Sequence, residues 1–599
     1  MNHSFFPNDS ERFHMGRVAL GLEAPDFILH GAKYLNVYTR EFLDGDIWIS
    51  GRFIARISTD ICKFTTKIID VSGKFLAPGF VEGHIHVESS LADPVTFSQA
   101  ALRCGVTSVF TDFHEVGAVA GRPGIKEMCE ALRETDVKAL FITPPQLPFL
   151  PELQHTLSTL NTVEALDLLN EDESVGLAEV NGQEIVKTLK NGDANDLALF
   201  DKAVRQRKTP EGHLFLTRGE ELDACLAVGI SSDHEPRKQE EVIEKIRKGV
   251  FVMLRNGTIA REVETLVGVI ARENLPTDRV GLVTDDMMIS HMTSDDYMLH
   301  KVRLAVKSGI PVPEALRMVS YNIAEHYRLG ELIGTLRSGS YADILVFDSP
   351  ETLQLERVIA SGHPIPLKSE PSKTKRTYSP ELLHTILRPP LTKEELQFIP
   401  KDYQDEEVTI RSIEMNQINR FTELVEVPVK VKNGDADLSS SDENLFYLIC
   451  ANRQRKDLLG KAFLKDYGLK NGAIAVSQAH DHHGIVALGR SKEDLLVAAN
   501  RVIELQGGIV LVQNGQITEE LPLPVAGLMS DLPMEETISR IHDIEDKLRN
   551  GGVKWYQPLF FLFWLGMEVA PFFRITDRGL FDTEEEKVIS CIVGGKQVD

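Results

Sequence analysis

The sequence predicts an α/β protein: a (β/α)8 TIM-like barrel with a small discontinuous β domain and an additional α+β C-terminal domain. Three observations carry this. Between residues 76 and 334, short apolar runs alternate with helix-like stretches such as 239–248 and 313–324, the pattern of βαβ units around a parallel sheet. The block is close to the ~250 residues of a closed barrel, although length alone allows an open doubly wound sheet as well. Flanking it are two β-rich pieces, 24–75 and 335–363, with partial period-two alternation and glycines at the turns.

Taken in order, residues 1–23 read as an N-terminal arm. Asp26-Phe27-Ile28-Leu29-His30-Gly31, Tyr34-Leu35-Asn36-Val37-Tyr38 and Asp46-Ile47-Trp48-Ile49-Ser50-Gly51 read as hairpin strands. The same texture returns in Ala342-Asp343-Ile344-Leu345-Val346, which is expected to lie beside them in one small domain. Residues 364–380 hold four prolines among Ser, Lys and Thr and read as a linker. The third region, 381–599, mixes a helical stretch (492–505) with strand-and-turn patterns such as Gly508-Ile509-Val510-Leu511-Val512-Gln513-Asn514-Gly515.

Composition narrows the function. Over 599 residues, 42% hydrophobic and 26% charged residues describe a globular chain with material for several cores. A formal charge of −24 repels phosphate backbones, so nucleic acid is not an expected partner. The run Leu559-Phe560-Phe561-Leu562-Phe563-Trp564-Leu565-Gly566-Met567 is about half of the ~20 residues of a membrane span and reads as a buried strand or short core helix, so no membrane association is expected. Six scattered cysteines and an N-terminus without a basic-then-apolar leader suit reduced thiols in a cytoplasmic protein.

The strongest local signal is Ala77-Pro78-Gly79-Phe80-Val81-Glu82-Gly83-His84-Ile85-His86-Val87-Glu88-Ser89-Ser90. Residues two apart on a strand face one side, so His84 and His86 can aim two imidazoles at one metal. Alone, the pair occurs often by chance and also fits two loop histidines satisfied by backbone carbonyls. Further along, His114, Glu179, His213, His234 and Asp285 each stand where an apolar run stops and a loop begins. In a parallel barrel those strand ends share the face where catalytic residues collect.

This order resembles the amidohydrolase superfamily, and within it the adenine deaminase family, over nearly the whole chain. The longer strings are Pro78-Gly79-Phe80 through His84–Ser90, the His114-Glu115 pair and residues 227–235. In the third region they are Ala479-His480-Asp481-His482-His483, residues 521–531 and residues 575–582. The resemblance implies a metal-dependent hydrolase barrel at 76–334 and an adenine-deaminase-type C-terminal domain at 381–599. It implies two divalent ions, Mn or Fe with Zn also compatible, on His84, His86, Glu179, His213, His234 and Asp285. Asp285 would carry the proton from water to the departing amine, and Glu235, with Glu115 and Glu88 behind it, would protonate a ring nitrogen. Glu88, Ser89, His114 and Glu115 are the substrate-binding candidates for a small-molecule purine base. A homo-oligomer, taken as a dimer, is expected.

Three departures stand at the barrel mouth. Leu214-Phe215 follow His213 where the family has Ala-Pro, Phe113 replaces a proline before His114, and Val180-Asn181-Gly182 replace methionines after Glu179. They leave open deamination of an N6-substituted adenine or cyclic-amide hydrolysis at the same centre. A non-catalytic binding relative is disfavoured because no ligand is lost. His480, Asp481 and His483 fit a second metal site, a lobe over the barrel mouth or a hydrogen-bonded polar turn.

Overall fold

Eight parallel strands follow one another through a single sheet: Phe80–Glu82, Val106–Thr111, Lys138–Thr143, Ser174–Asn181, Thr209–His213, Ser232–Asp233, Phe251–Arg255 and Val280–Val283. The computed structural model describes residues 5–594 apart from 151–153, 172, 193–196, 295–296, 368–374, 401–402, 404–406, 417–420, 433–434 and 569. Val106–Thr111, Phe251–Arg255 and Val280–Val283 are buried along their whole lengths, as expected of parallel strands covered on both faces. The first and last strands meet just beyond their ends. Ile85 bridges Asp285, and the Asp285 amide donates to the His84 carbonyl at 2.8 Å. The sheet is therefore a barrel and not an open doubly wound array.

The 239–248 stretch is the helix Gln239–Arg247. The 313–324 stretch is two helices, Val312–Met318 and Tyr321–His326, parted at Ser320. The Ser320 hydroxyl donates to the Leu316 carbonyl at 2.6 Å while its backbone leaves helical dihedrals.

In the flanking β pieces, Ile344–Phe347 lies antiparallel between Phe75–Pro78 and Leu355–Ala360. Phe27–His30, Asp46–Ser50, Phe53–Ser58 and Lys67–Asp70 form a second, four-stranded sheet. Leu29, Ile47 and Ile49 from one sheet share a buried cluster with Ala342, Ile344 and Val346 from the other, so the two pieces sit together. His363–Ile365 is a strand of the six-stranded sheet, so regular structure continues into the stretch read as a linker; its residues 368–374 lie outside the described residues.

The C-terminal region holds a nine-stranded sheet. Helix Lys492–Glu504 buries Leu495, Ala498, Ala499, Val502 and Ile503 on one of its faces. The aromatic run is a buried helix, Pro558–Trp564. Among the described residues no helix is long and apolar enough to cross a membrane. The turn His480–His483 joins Ala473–Val476 to Ile485–Gly489 and points at the barrel. It is pinned by Arg453, whose guanidinium donates to the carbonyls of Ala526 (2.7 Å), Ser477 (2.7 Å) and His483 and to Thr385 Oγ1 (3.1 Å).

Candidate active site

Glu179 is the hub of the barrel mouth. One carboxylate oxygen lies 3.3 Å from His84 Nε2, 3.1 Å from His86 Nε2 and 3.7 Å from His234 Nε2, and the other lies 2.9 Å from His213 Nδ1. Asp285 Oδ1 adds a contact of 3.2 Å to His86 Nε2. The donors fall into two adjacent groups that share Glu179: His84, His86, Glu179 and Asp285, and Glu179, His213 and His234. Such a pair of nests fits two divalent cations bridged by one carboxylate. The fit has a sign in the protein itself, because His84 Nε2 is buried without a hydrogen-bond partner. Burial, with His84 beside it, lowers His234 to about 3, whereas neighbouring carboxylates outweigh burial to raise His84 to about 10 and to raise His86 and His213.

Local structure aims these donors. The Glu82 carboxylate, at the end of the first strand, accepts from the amides of His84 (3.2 Å) and Thr284 (3.1 Å), tying the H-x-H segment to the eighth strand. Asp285 turns back towards the barrel axis with φ +70°, a left-handed conformation that costs a non-glycine residue about 1–2 kcal/mol. His86 Nδ1 lies 3.3 Å from one Asp112 oxygen, and His114 Nδ1 lies 3.0 Å from the other. Glu211 stands 3.8 Å from His84 Nδ1, and burial pushes its carboxyl up to about 7.

Arg255, at the end of the seventh strand, is the cationic counterpart of this cluster. It is 2% exposed and clasps Glu235 with both terminal nitrogens while reaching Asp285 Oδ2 at 2.6 Å. Arg237 also lies 3.0 Å from Glu235. Burial would raise the Glu235 carboxyl, but the two guanidiniums outweigh it and hold the group well below the usual carboxylate range. Glu235 and Asp285 thus share Arg255 as their cationic partner.

The donors open into a cavity of about 820 Å³ walled by both halves of the chain. The barrel contributes His86, His114, Glu179, Phe215, Arg255 and Asp285, and the C-terminal region contributes Phe421, His480, Asp481, Trp564 and Met567. Of the four substrate-binding candidates, only His114 lines this space. Glu88, Ser89 and Glu115 are 0% exposed and are not among the residues lining it. Glu88 accepts from the Val116 amide at 3.1 Å, Ser89 donates to Asp286, and Glu115 is gripped by His480 Nδ1 and His483 Nε2. The short 3-10 turn Val87–Ser90 rotates the first two away from the cavity. Leu214 likewise belongs to the core, leaving Phe215 as the apolar residue at the mouth.

Sequence reasoning missed Arg255, Asp112 and Glu211. Arg255 closes the apolar run Phe251-Val252-Met253-Leu254 and so carried the same strand-end signal as the ligands. Asp112 precedes His114 by two, the spacing that marked His84 and His86. Glu211 has the same spacing before His213.

Comparison with known proteins agrees with this geometry. Residues 75–381 match the amidohydrolase family and residues 419–587 the adenine deaminase C-terminal domain. An adenine deaminase of Listeria welshimeri is 31% identical over 580 residues, covering 96% of this chain and 98% of its own. One from Staphylothermus marinus is 31% identical over 595 residues, covering 97% and 98%. With a divalent metal centre implied by the fold and a C-terminal region of the matching type, the chain belongs to the adenine deaminase family of amidohydrolases.

Proposed function

We propose that the protein hydrolyses adenine to hypoxanthine and ammonia. The observation that carries the reading is the convergence of His84, His86, Glu179, His213, His234 and Asp285 on one cavity in a chain of this family. Two divalent ions at these donors would supply a water acidified enough to act as nucleophile near neutral pH. The donor set is all nitrogen and oxygen, which suits Mn or Fe as well as Zn.

Asp285 would accept one proton of the water as oxygen bonds to C6 and return it to the exocyclic nitrogen as the C6–N bond breaks. Arg255 orients this carboxylate from behind through its 2.6 Å contact. The second proton of the water passes to N1, and Glu235, held ionised by Arg255 and Arg237 and lining the cavity, would carry it by accepting it from oxygen and donating it to the ring nitrogen. His114, fixed through Nδ1 by Asp112, presents Nε2 to the cavity.

A second reading draws on the size of the cavity. At about 820 Å³ it exceeds what a purine base fills, and Phe215 lines it, which favours tolerance of an alkyl group on the C6 amine. The test is release of ammonia or amine from adenine, N6-methyladenine, adenosine and cytosine by Mn-loaded protein. Adenine is expected to exceed adenosine and cytosine by at least tenfold in kcat/KM. A tenfold preference for either of those two would overturn the substrate assignment while leaving the metal chemistry standing.

A further inference from the structure

Where the C-terminal region meets the barrel mouth, buried polar groups collect beside the donors around Glu179. His114 and Glu115 open the helix His114–Arg133 that follows the second strand, and Asp481 comes from the turn His480–His483. His114 Nε2 lies 3.5 Å from Glu115 Oε1 and 4.0 Å from Asp481 Oδ1. All three side chains are buried, and their donor atoms lie within 4.8 Å of one another. We propose that these three residues bind a further divalent cation, separate from the pair held around Glu179, at the seam between barrel and C-terminal domain.

Each donor is prepared for that task. His114 Nδ1 is engaged by Asp112 at 3.0 Å, so the Nε2 lone pair faces the other two donors, the carboxylate–histidine arrangement that orients metal-ligating imidazoles. Asp481 Oδ2 is steadied by Gln154 Nε2 at 3.4 Å, leaving Oδ1 for a ligand. Glu115 is anchored through Oε1 to His480 Nδ1 and through Oε2 to His483 Nε2, which leaves the second lone pair of Oε1 for an ion. The separations from His114 are 3.5 and 4.0 Å and all three lie within 4.8 Å, so the donors must draw together to surround an ion at the ~2.1 Å typical of nitrogen and oxygen ligands. His114 and Asp481 line the cavity, so an ion has a path in.

The carboxylates of Glu115 and Asp481 converge on His114 here, and a cation would offset their charge. It would also join the two halves of the chain at the rim of the cavity, which gives the C-terminal domain a structural reason to insert this turn.

The test counts ions. Metal-free protein is dialysed against Mn2+, and bound equivalents are measured by elemental analysis for the wild type, Asp481→Asn and His234→Ala, with folding checked by circular dichroism. The expected counts are three for the wild type and two for Asp481→Asn, with Mn2+ raising Tm less in that variant. A wild-type count of two overturns the proposal whether or not any variant folds, and so does an equal count in wild type and a folded Asp481→Asn. Failure of the Glu179-centred reading looks different: His234→Ala would then leave the count unchanged.

Discussion

Two buried charge clusters lie back to back across the sixth strand, and they are built on opposite rules. On the cavity side, the donors around Glu179 outnumber their partners, with His84 Nε2 and both Glu211 oxygens lacking hydrogen bonds. Behind the strand, Lys245 and Asp233 are both 0% exposed and completely paired. Lys245 Nζ donates to Asp233 Oδ2 at 2.7 Å and to the Leu214 carbonyl at 3.1 Å. Asp233 Oδ1 accepts from the amides of Leu214 (2.8 Å) and Glu235 (3.1 Å). The saturated cluster therefore holds the backbone after His213 and on both sides of His234. Buried polar atoms are nearly always paired, so a concentration of unpaired ones marks where a ligand belongs, and the paired set next to it marks what keeps the ligand's donors in place.

The comparison breaks most sharply on its open side. His86→Ala removes the imidazole that faces both Glu179 and Asp285, and it should abolish metal-dependent deamination and lower metal content in a folded protein. Full metal occupancy with near wild-type turnover would refute the role of the cluster. On the closed side, Lys245→Met leaves Asp233 as a buried charge without its cation. Breaking such a pair costs about 3–5 kcal/mol, so denaturant unfolding should show a loss of that order. A change below about 1 kcal/mol would mean that the two amides satisfy Asp233 alone.

The same contrast explains what could be read in the sequence. The open cluster was legible because its signals are local: an apolar run ends, and a His, Glu or Asp follows. His84, His86, Glu179, His213, His234 and Asp285 all announce themselves this way, and the alternation of runs and helices announces the barrel around them. Facing direction beyond the strand end was not legible. Glu88 and Ser89 sit two and three residues past His86, yet a turn of 3-10 helix decides that they point away from the cavity. Glu115 stands next to His114 but is claimed by His480 and His483, more than 360 residues on. No local pattern encodes a contact at that separation, which is why the role of His480–His483 stayed open. The Lys245–Asp233 pair was hidden for a related reason, because a lysine in an acidic helical stretch, Gln239–Arg247, looks like a solvated face.

The smallest expected effect sharpens the comparison by reading the closed side without disabling it. Cys225 and Leu214 both lie against Gly182, and Leu214 is the residue whose amide and carbonyl Asp233 and Lys245 hold; the Cys225 Sγ donates to the Gly182 carbonyl at 3.7 Å. Burial, with Glu221 and Asp233 adding to it, raises the thiol to about 11. Because the raised value favours the protonated form, thiolate at pH 8 is roughly a thousandth of the total, and thiolate is the species that reacts with iodoacetamide. In the wild type at pH 8, Cys225 should therefore stay unlabelled while partly exposed Cys62 is modified, with labelling located by peptide mass mapping. In Lys245→Met, the loosened backbone should admit water to Cys225 and raise its labelling several-fold at the same pH, before global unfolding exposes Cys129. Equal labelling of Cys225 in the two proteins would show that the Lys245–Asp233 pair stabilises the chain elsewhere and does not govern the packing directly beneath His213.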